Sequence, residues 1–315
     1  MVMQQKLFIL IPFFLIIWSF NACKAGNQET DKVNSNVSQQ LHHCPIHDDL
    51  TFYVTERDIF RFEYIAEKFN PDYTTLPDLP ELIAEIGLTL QNTAYVAKTL
   101  EIEGNEQLVI NLFELDCTTF VEYVLAMAFI LNEGAISFWD FAQKLACMRY
   151  RNGIIDGYPS RLHYFSEWLL DNEKKGLIEN LQLDGFSKPY PLNIHFMTRN
   201  AGFYPQLSDA GYINEMVAVE AKLSQNQLHY IPKENIAKAE HLIRTGDIIA
   251  FTTNIEGLDV THTGFAIHHE GRLHLLHAST RNNLVEISPV PLHDYLSGMG
   301  RVTGILLGRP REASR

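Results

Sequence analysis

The chain is organised around the stretch Leu115-Asp116-Cys117-Thr118-Thr119-Phe120-Val121-Glu122. It joins a strand-like run at residues 108–113 to an apolar, helix-like run that ends near Leu131. The first turn of a helix offers free N–H groups and the positive end of the helix dipole, so we expect a lowered pKa for the Cys117 thiol. Asp116 can cap the helix from the position before it. The pattern predicts that Cys117 starts a buried helix, either as a nucleophile or as a structural cysteine.

The start of the chain has the pattern of an export signal. Residues 7–18 form an unbroken apolar run, which is too short to span a bilayer but fits the core of a secretory signal. Cys23 follows Ala22 directly, as at a bacterial lipoprotein cleavage site, although Phe20 stands where such sites usually carry leucine. We expect a signal peptide at 1–22, lipid on Cys23 as the membrane anchor, and an exported protein in the periplasm or cell envelope. The alternative is an ordinary signal cleaved near Ala22 or Ala25.

The segment after the signal is polar and lacks a hydrophobic period. Residues 24–40 are rich in Asn, Gln and Ser, so residues 23–44 are predicted to be the lipoprotein cysteine followed by a disordered tether. About 270 residues remain, which is enough for one large domain, predicted at 45–311.

The charge balance excludes one class of partner. The net charge is −13, and removal of the predicted signal with its single Lys6 makes it −14. The sequence has no basic stripe, so nucleic acid is not an expected partner.

Cysteine usage gives two further expectations. The cysteines are at positions 23, 44, 117 and 147, and nothing in the sequence supports a disulfide between Cys44 and Cys147, so none is expected. The cluster at residues 42–47 contains three histidines and Cys44, but it lacks a second matching half. We therefore expect no metal site there.

Periodicity predicts a mixture of helices and strands, and hence an α+β fold. The predicted helices are at residues 55–69, 79–90, 117–131, 138–150, 162–173, 216–223 and 233–242. The predicted strands are at residues 95–101, 107–113, 190–198, 248–252, 261–267 and 273–279. The first two strands are expected to pair around a turn at 103–105. The domain would carry an N-terminal helical lobe and a helical insertion at about 137–225.

A loop before one of these helices has the composition of a substrate wall. Residues 157–164 concentrate polar aromatics and an arginine, with Tyr158, Arg161, His163 and Tyr164 as candidate substrate-binding residues. The same composition also suits an ordinary helix start. Whether Asn193, His195 and Arg199 line the cleft stays open.

The C-terminal strands determine which histidines can meet. Glu270-Gly271 is the best two-residue hairpin loop, and with it paired residues sum to 541. Gly264 then faces His277, and His262 lies diagonal to His277 on one face of the sheet, roughly 7 Å away. His274 falls on the other face. A slip of one residue would reverse this prediction.

A thiol nucleophile requires a base that a further polar group holds in place. His262 would serve as the base for Cys117, and His277 would hold the His262 imidazole in the right tautomer. Each histidine alone reads equally well as a surface or core residue. The coincidence of a helix-start cysteine with two histidines on one sheet face favours the catalytic interpretation.

Four motifs, in order, resemble those of the NlpC-type papain-like cell-wall hydrolases. They are Asp116–Val121, Gly246–Phe251, His262–Ile267 and His277-Ala278-Ser279. Thr118-Thr119 replaces the family's usual Ser-Gly. The form Cys-Thr-Thr-Phe-Val-Glu, with a long segment before the Gly-Asp strand, resembles the N-acetylmuramoyl-L-alanine amidase-like branch over most of residues 50–309.

The resemblance implies a papain-like core, with the nucleophile at the start of a buried helix packed on an antiparallel sheet. It implies Cys117 as nucleophile, His262 as base and His277 as orienting residue. We also expect Asp116 and Thr118 to support the site and Ser279 to bind substrate. The resemblance also implies a peptidoglycan or muropeptide substrate, cleaved between N-acetylmuramic acid and L-alanine without a metal or organic cofactor.

Two alternatives stay open at this point. The same three residues suit a D-glutamyl–diamino acid endopeptidase acting on stem peptides. A catalytically silent, cell-wall-binding lipoprotein could use the same fold, because a fold does not secure a function.

Overall fold

The computed structural model describes residues 44–70, 72 and 75–312. The predicted signal peptide, Cys23 and the predicted tether up to residue 43 lie outside the described residues. Helices and a large sheet confirm the α+β prediction. Within the described part of the chain, no helix is long and apolar enough to cross a membrane.

The helices lie in both halves of the chain. They are α1 Glu56–Lys68, α2 Leu79–Thr89, α3 Cys117–Asn132, α4 Phe138–Arg149, α5 Phe165–Lys174, α6 Phe196–Arg199, α7 Ala210–Leu223, α8 Lys233–Ala239 and α9 Leu292–Ser297. Short 3-10 turns occur at Arg151–Gly153, Tyr158–Ser160, Ala201–Phe203, Pro205–Ser208 and Glu240–Leu242.

The longest strands are in the C-terminal half. The strands are β1 Phe52–Tyr53, β2 Ala94–Tyr95, β3 Leu108–Val109, β4 Glu114–Leu115, β5 Ile178–Asn180, β6 Lys188–Pro191, β7 Gln227–Pro232, β8 Ile248–Thr253, β9 Val260–His269, β10 Arg272–Ser279, β11 Leu284–Ile287 and β12 Val302–Pro310.

One sheet organises the domain. Its strand order is β4-β2-β11-β10-β9-β8-β12-β7-β6, and β5 pairs with β12. Antiparallel pairing runs from β2 to β6, whereas β2 and β4 are parallel. The β1 and β3 strands form a separate parallel pair.

The hairpin of β9 and β10 has the predicted register. Arg272 pairs with His269 and Leu276 pairs with Phe265, so the paired numbers sum to 541. The turn residues Glu270 and Gly271 both have positive φ, at 50° and 77°, which is the backbone of the type I′ turn that suits a two-residue hairpin.

Helix α3 is the buried centre of the domain. Its residues from Thr119 to Leu131 are all buried, because apolar side chains cover nearly every face of the helix. Asp116 is its N-cap and forms a reciprocal capping box with Thr119. Phe120 packs edge-on against Phe265 of β9, with ring centroids 5.8 Å apart. The start of α3 is therefore fixed against the central hairpin.

The buried acidic residue of α3, Glu122, is paired with a buried arginine. Glu122 accepts from the Arg149 Nε of α4 at 2.7 Å and from the Trp168 indole of α5 at 3.2 Å. Arg149 also donates to the Val109 carbonyl at 2.6 Å. Both charged side chains are about 2% exposed, so one buried ion pair joins three helices and β3.

The Gly-Asp motif before β8 has a structural role. Gly246 has a φ of 83°, and a Cβ there would lie 2.8 Å from the Pro80 backbone. Asp247 accepts two hydrogen bonds from the Arg309 guanidinium, at 2.8 and 2.7 Å. The motif therefore connects α2 and β12 to the start of β8.

Three predicted strand segments were wrong in their pairing or their extent. Residues 95–101 and 107–113 do not pair, because β2 lies between β4 and β11 while β3 pairs with β1. The predicted strand at 190–198 stops at Pro191 and turns into α6. Strand β12, which lies between β7 and β8 in the sheet, was not predicted from the sequence.

The expectation about the disulfide was also wrong. Cys44 and Cys147 are bonded, with Cα atoms 5.5 Å apart. The N-terminal segment folds back onto α4, where His47 exchanges hydrogen bonds with Gln143 and its Nε2 lies 2.7 Å from the Gly153 carbonyl. Cys44 therefore belongs to the folded domain and not to the tether. Residues 103 apart were brought together by packing, which sequence spacing does not encode.

Candidate active site

A cavity of about 180 Å³ lies where α3 begins beside β9. Cys117 and Thr118 of α3 and His262 and Thr263 of β9 form one part of its lining. The remaining lining residues are Glu101, Tyr158, His163, Tyr164, Phe165, Met197, Tyr204, Leu258, Asp259, Val260 and Thr261. The predicted nucleophile and base therefore share one cavity.

Cys117 is a free, partly exposed cysteine, unlike the disulfide pair. Burial raises the pKa of its thiol to about 12, and the charge of Asp116 acts in the same direction. Hydrogen bonds from the Thr263 backbone N–H and the Thr118 hydroxyl oppose this rise. The expected lowering of the Cys117 pKa was therefore wrong, because desolvation outweighs the helix N-terminus. The resting group is a neutral thiol.

His262 and His277 contact each other directly. The His262 Nε2 lies 2.6 Å from the His277 Nδ1, with the two rings nearly perpendicular at 88°. Burial lowers the pKa of His262 to about 3, helped by the neighbouring His277, and lowers that of His277 to about 4. Both rings are thus neutral near pH 7. The contact leaves Nδ1 as the His262 nitrogen available to a thiol proton.

A glycine makes this contact between the histidines sterically feasible. A Cβ on Gly264 would lie 2.8 Å from the His277 Cβ and 2.7 Å from the Leu276 carbonyl oxygen. Only glycine therefore allows β10 to place His277 this close to β9. This gives the motif His262-Thr263-Gly264 a physical reason.

Tyr95 of β2 was not predicted from the sequence as a residue that influences the site. It pairs with Leu115 in the strand that leads into Cys117. Burial raises its pKa to about 12, and the charges of Cys117 and Asp116 act in the same direction. Tyr95 therefore carries a protonated phenol within electrostatic range of the thiol, although it is not among the residues that line the cavity. The sequence around Tyr95 carries no motif that would indicate its relation to Cys117.

Three of the four predicted wall residues line the cavity, namely Tyr158, His163 and Tyr164. The His163 Nε2 lies 2.8 Å from the Tyr158 carbonyl. Its pKa lies well below the ordinary value because the ring is buried, and the charge of Arg161 acts in the same direction. The Tyr164 hydroxyl donates to Glu220 at 2.7 Å. The wall is therefore aromatic and rigid.

Other predicted contact residues lie behind or beside the cavity. Arg161 is buried and donates to Glu101 at 2.7 Å, so it supports the wall from behind. Ser279 is fully buried, and its Oγ accepts from the Arg281 N–H. His195 and Arg199 instead face Glu256, at 3.5 and 2.8 Å. Asn193 is not among the lining residues.

The remaining part of the cavity lining was not predicted from the sequence. Met197 and Tyr204 come from the insertion, and Leu258–Thr261 come from the segment between β8 and His262. The second group could have been found by its position next to the base, whereas Met197 and Tyr204 carry no sequence signal. Among the described residues, no group of three or more His, Cys, Asp or Glu side chains could hold a metal ion.

The sequence matches a protein family over residues 85–302, the AmiA-like family described as N-acetylmuramoyl-L-alanine amidase-like. A crystal structure of an N-acetylmuramoyl-L-alanine amidase from Bacteroides uniformis is 38% identical, with a TM-score of 0.72. The alignment covers 75% of this chain and 100% of that one.

Two further structures share the fold. A Bacteroides fragilis protein described as a candidate xylanase is 40% identical, with a TM-score of 0.67, covering 71% of this chain and 98% of that one. LPG0564 from Legionella pneumophila is 21% identical, with a TM-score of 0.61, and covers 82% of this chain and 96% of that one. The last similarity concerns the fold alone. No protein of curated function matches the sequence.

Proposed function

Because the chain belongs to the AmiA-like family of N-acetylmuramoyl-L-alanine amidase-like proteins, we propose that it hydrolyses the amide bond between N-acetylmuramic acid and L-alanine in peptidoglycan fragments. The observation that carries the proposal is the hydrogen-bonded pair His262–His277, with His262 in the same cavity as the free thiol of Cys117. A nucleophile, a base and a group that orients the base are the parts that acyl transfer needs. The core then corresponds to that of a papain-like cysteine hydrolase.

The first step forms a thioester. The Cys117 sulfur attacks the lactyl carbonyl carbon while the thiol proton passes to the His262 Nδ1. Because the resting thiol and imidazole are both neutral, proton transfer accompanies the attack and does not precede it. The imidazolium then gives this proton to the departing L-alanine nitrogen as the C–N bond breaks. The lactyl group stays on sulfur.

Water completes the cycle. His262, neutral again, takes a proton from water, and the resulting hydroxide attacks the thioester carbon. The carbon–sulfur bond breaks, the sugar leaves with a free lactyl carboxyl group, and the proton returns to the sulfur. The neutral His277 accepts the Nε2–H of His262 throughout and keeps its ring in position. No cofactor takes part in this scheme.

The oxyanion needs two donors. The backbone N–H of Cys117, at the start of α3, is one of them. We assign the second to the Tyr95 hydroxyl, since Tyr95 pairs with the strand that leads into Cys117, the charge of Cys117 acts on this phenol, and its raised pKa keeps it protonated.

We also propose that the protein is exported and anchored to a membrane through lipid on Cys23. The disulfide Cys44–Cys147 supports export, because disulfides persist in oxidising compartments outside the cytosol. Peptidoglycan is present in the same compartment.

The name of the Bacteroides fragilis relative raises glycoside hydrolysis as an alternative. That chemistry needs two carboxylates that flank the scissile bond. The cavity contains Glu101 and Asp259, but Glu101 is paired with Arg161 and Asp259 accepts from the Ser166 and Val260 N–H groups at 2.7 Å. These hydrogen bonds give both carboxylates structural roles, which favours the thiol mechanism.

Mass spectrometry of purified muropeptides after incubation with the protein tests the proposal, beside Cys117→Ala and Cys117→Ser. We expect a sugar with a free lactyl carboxyl group and a peptide that begins at L-alanine, with neither variant producing them. A sugar that still carries L-Ala–D-Glu would identify the endopeptidase instead. Release of sugars from xylan in a parallel incubation would support the glycosidase, and bound but intact muropeptide would support the silent binder. Full activity of Cys117→Ala would refute the thioester mechanism.

A further inference from the structure

Among the described residues, one buried nitrogen of the histidine pair makes no hydrogen bond. The His277 Nδ1 contacts the His262 Nε2, whereas the His277 Nε2 is fully buried and makes no hydrogen bond with any of the described residues. Buried polar groups are nearly always satisfied, so an orphaned nitrogen in a catalytic pair requires an explanation.

The positions of the ring protons determine which tautomer of His277 the reaction needs. For His262 to accept the thiol proton at Nδ1, its own proton must be on Nε2 and must be donated to the His277 Nδ1. The same holds when His262 is an imidazolium. His277 is neutral near pH 7 because burial lowers its pKa to about 4. Its single proton must therefore be on Nε2, the nitrogen that makes no hydrogen bond with any of the described residues.

The other tautomer would be inactive. With the proton on Nδ1, His277 would donate to the His262 Nε2, and the proton of His262 would then lie on Nδ1, facing the thiol. His262 could not accept a proton in that state. Both tautomers keep the contact between the two histidines, so another group must favour the Nε2–H form of His277.

The ring next to His277 is that of Tyr295 on α9. The two ring centroids are 5.6 Å apart, in a T-shaped arrangement at 75°. Aromatic faces carry partial negative charge and accept N–H donors weakly. The Tyr295 ring is a weak acceptor, but a weak acceptor is sufficient to shift the equilibrium between the Nδ1–H and Nε2–H tautomers of His277.

Tyr295 also lies near the last residue of the His-Ala-Ser motif. Burial raises the pKa of the Tyr295 hydroxyl, and the nearby Ser279 side chain opposes this rise. The Ser279 Oγ accepts from the Arg281 and Asn282 N–H groups at 3.2 and 3.4 Å. Ser279 is therefore a fully buried neighbour of the tyrosine and does not line the cavity.

We propose that Tyr295 is a positioning residue whose ring face accepts the Nε2–H of His277 and thereby selects the tautomer that leaves the His262 Nδ1 free to act as a base. Its effect on turnover rests on the proposed amidase function. Its effect on the tautomer does not, since the tautomer can be observed without substrate.

The test is ¹⁵N NMR of histidine-labelled protein near pH 7, where protonated and unprotonated ring nitrogens give distinct shifts. We expect His277 to be protonated on Nε2 in the wild type and in Tyr295→Phe, which keeps the ring. In Tyr295→Leu, a substantial fraction should move to the Nδ1–H form. A wild-type His277 protonated on Nδ1 would overturn the proposal, even if Tyr295→Leu failed to fold.

Turnover gives a second measurement on the same variants. Tyr295→Leu should lower kcat about ten-fold with little change in KM, whereas Tyr295→Phe should stay within about two-fold of the wild type. A folded Tyr295→Leu protein with the wild-type tautomer would refute the proposal. If the tautomer shifts but no variant, including the wild type, cleaves muropeptides, the proposed function fails while the assignment of Tyr295 stands.

Discussion

At the scale of single residues, the environment of the site keeps both reacting groups neutral. Burial raises the pKa of the Cys117 thiol and lowers that of the His262 imidazole. Charge separation between them is therefore unfavourable before substrate arrives. The lowered pKa of His262 affects the pH dependence of catalysis. A base that becomes protonated only at low pH stays active down to low pH.

We predict that kcat/KM changes less than about two-fold between pH 7 and pH 5, since the pKa of His262 is about 3 and that of His277 about 4. A base with the ordinary pKa of about 6.5 would lose roughly 25-fold in its unprotonated fraction over this range. Initial rates on a muropeptide distinguish the two, and a loss of more than ten-fold by pH 5 would contradict the prediction.

Circular dichroism at each pH is the necessary control. The same two histidines have folded-state pKa values below the unfolded value, so the unfolded chain binds more protons as the pH falls below about 6.5. The stability that these two histidines contribute is therefore fully present above about pH 6.5 and is lost as the pH falls towards about 3. Rates are compared only where the protein remains folded.

Tyr95→Phe tests the second oxyanion donor. Loss of one such donor costs about 10² to 10³ in kcat, and we expect a fall of this size with KM little changed. Tyr64→Phe, on the exposed face of α1, is the matched control. Unchanged kcat in Tyr95→Phe would remove Tyr95 from the mechanism.

At the scale of elements, the position of the nucleophile depends on how α3 is held. The pair Glu122–Arg149 joins α3 to α4 in a site closed to solvent. Removing one partner of a buried pair leaves the other charge uncompensated, which costs about 3–5 kcal/mol.

We predict that Glu122→Gln lowers the free energy of unfolding by about 3 kcal/mol, measured by urea denaturation. Glu133→Gln is the control, since the ion pair of Glu133 with Lys144 is partly exposed and such pairs contribute about 1 kcal/mol or less. Equal effects of the two substitutions would show that the buried pair has no special role.

At the scale of the whole molecule, the disulfide fastens the N-terminal segment to α4. Its two cysteines are 103 residues apart in sequence, and a loop of this length restricts the unfolded chain strongly.

We predict that Cys44→Ser lowers the free energy of unfolding by about 2–5 kcal/mol while kcat changes little, because the bond lies outside the cavity. Cys117→Ser should retain the stability and lose the activity. If Cys44→Ser were as stable as the wild type, the disulfide would not contribute to the fold.

Much of the site could be predicted from the sequence, because its signals are local. The cap Asp116, the apolar α3 and the two-residue turn Glu270-Gly271 each act within a few residues. The turn sets the register of β9 and β10, and the register brings His262 and His277 together.

Only the tertiary structure decided the rest, because it depends on contacts between distant segments. The bond between Cys44 and Cys147, the insertion of β12 into the sheet and the approach of Tyr95 to Cys117 all arise from packing. The pKa of Cys117 was also decided by the tertiary structure. Desolvation depends on every group around the thiol, whereas the sequence shows only that Cys117 starts a helix.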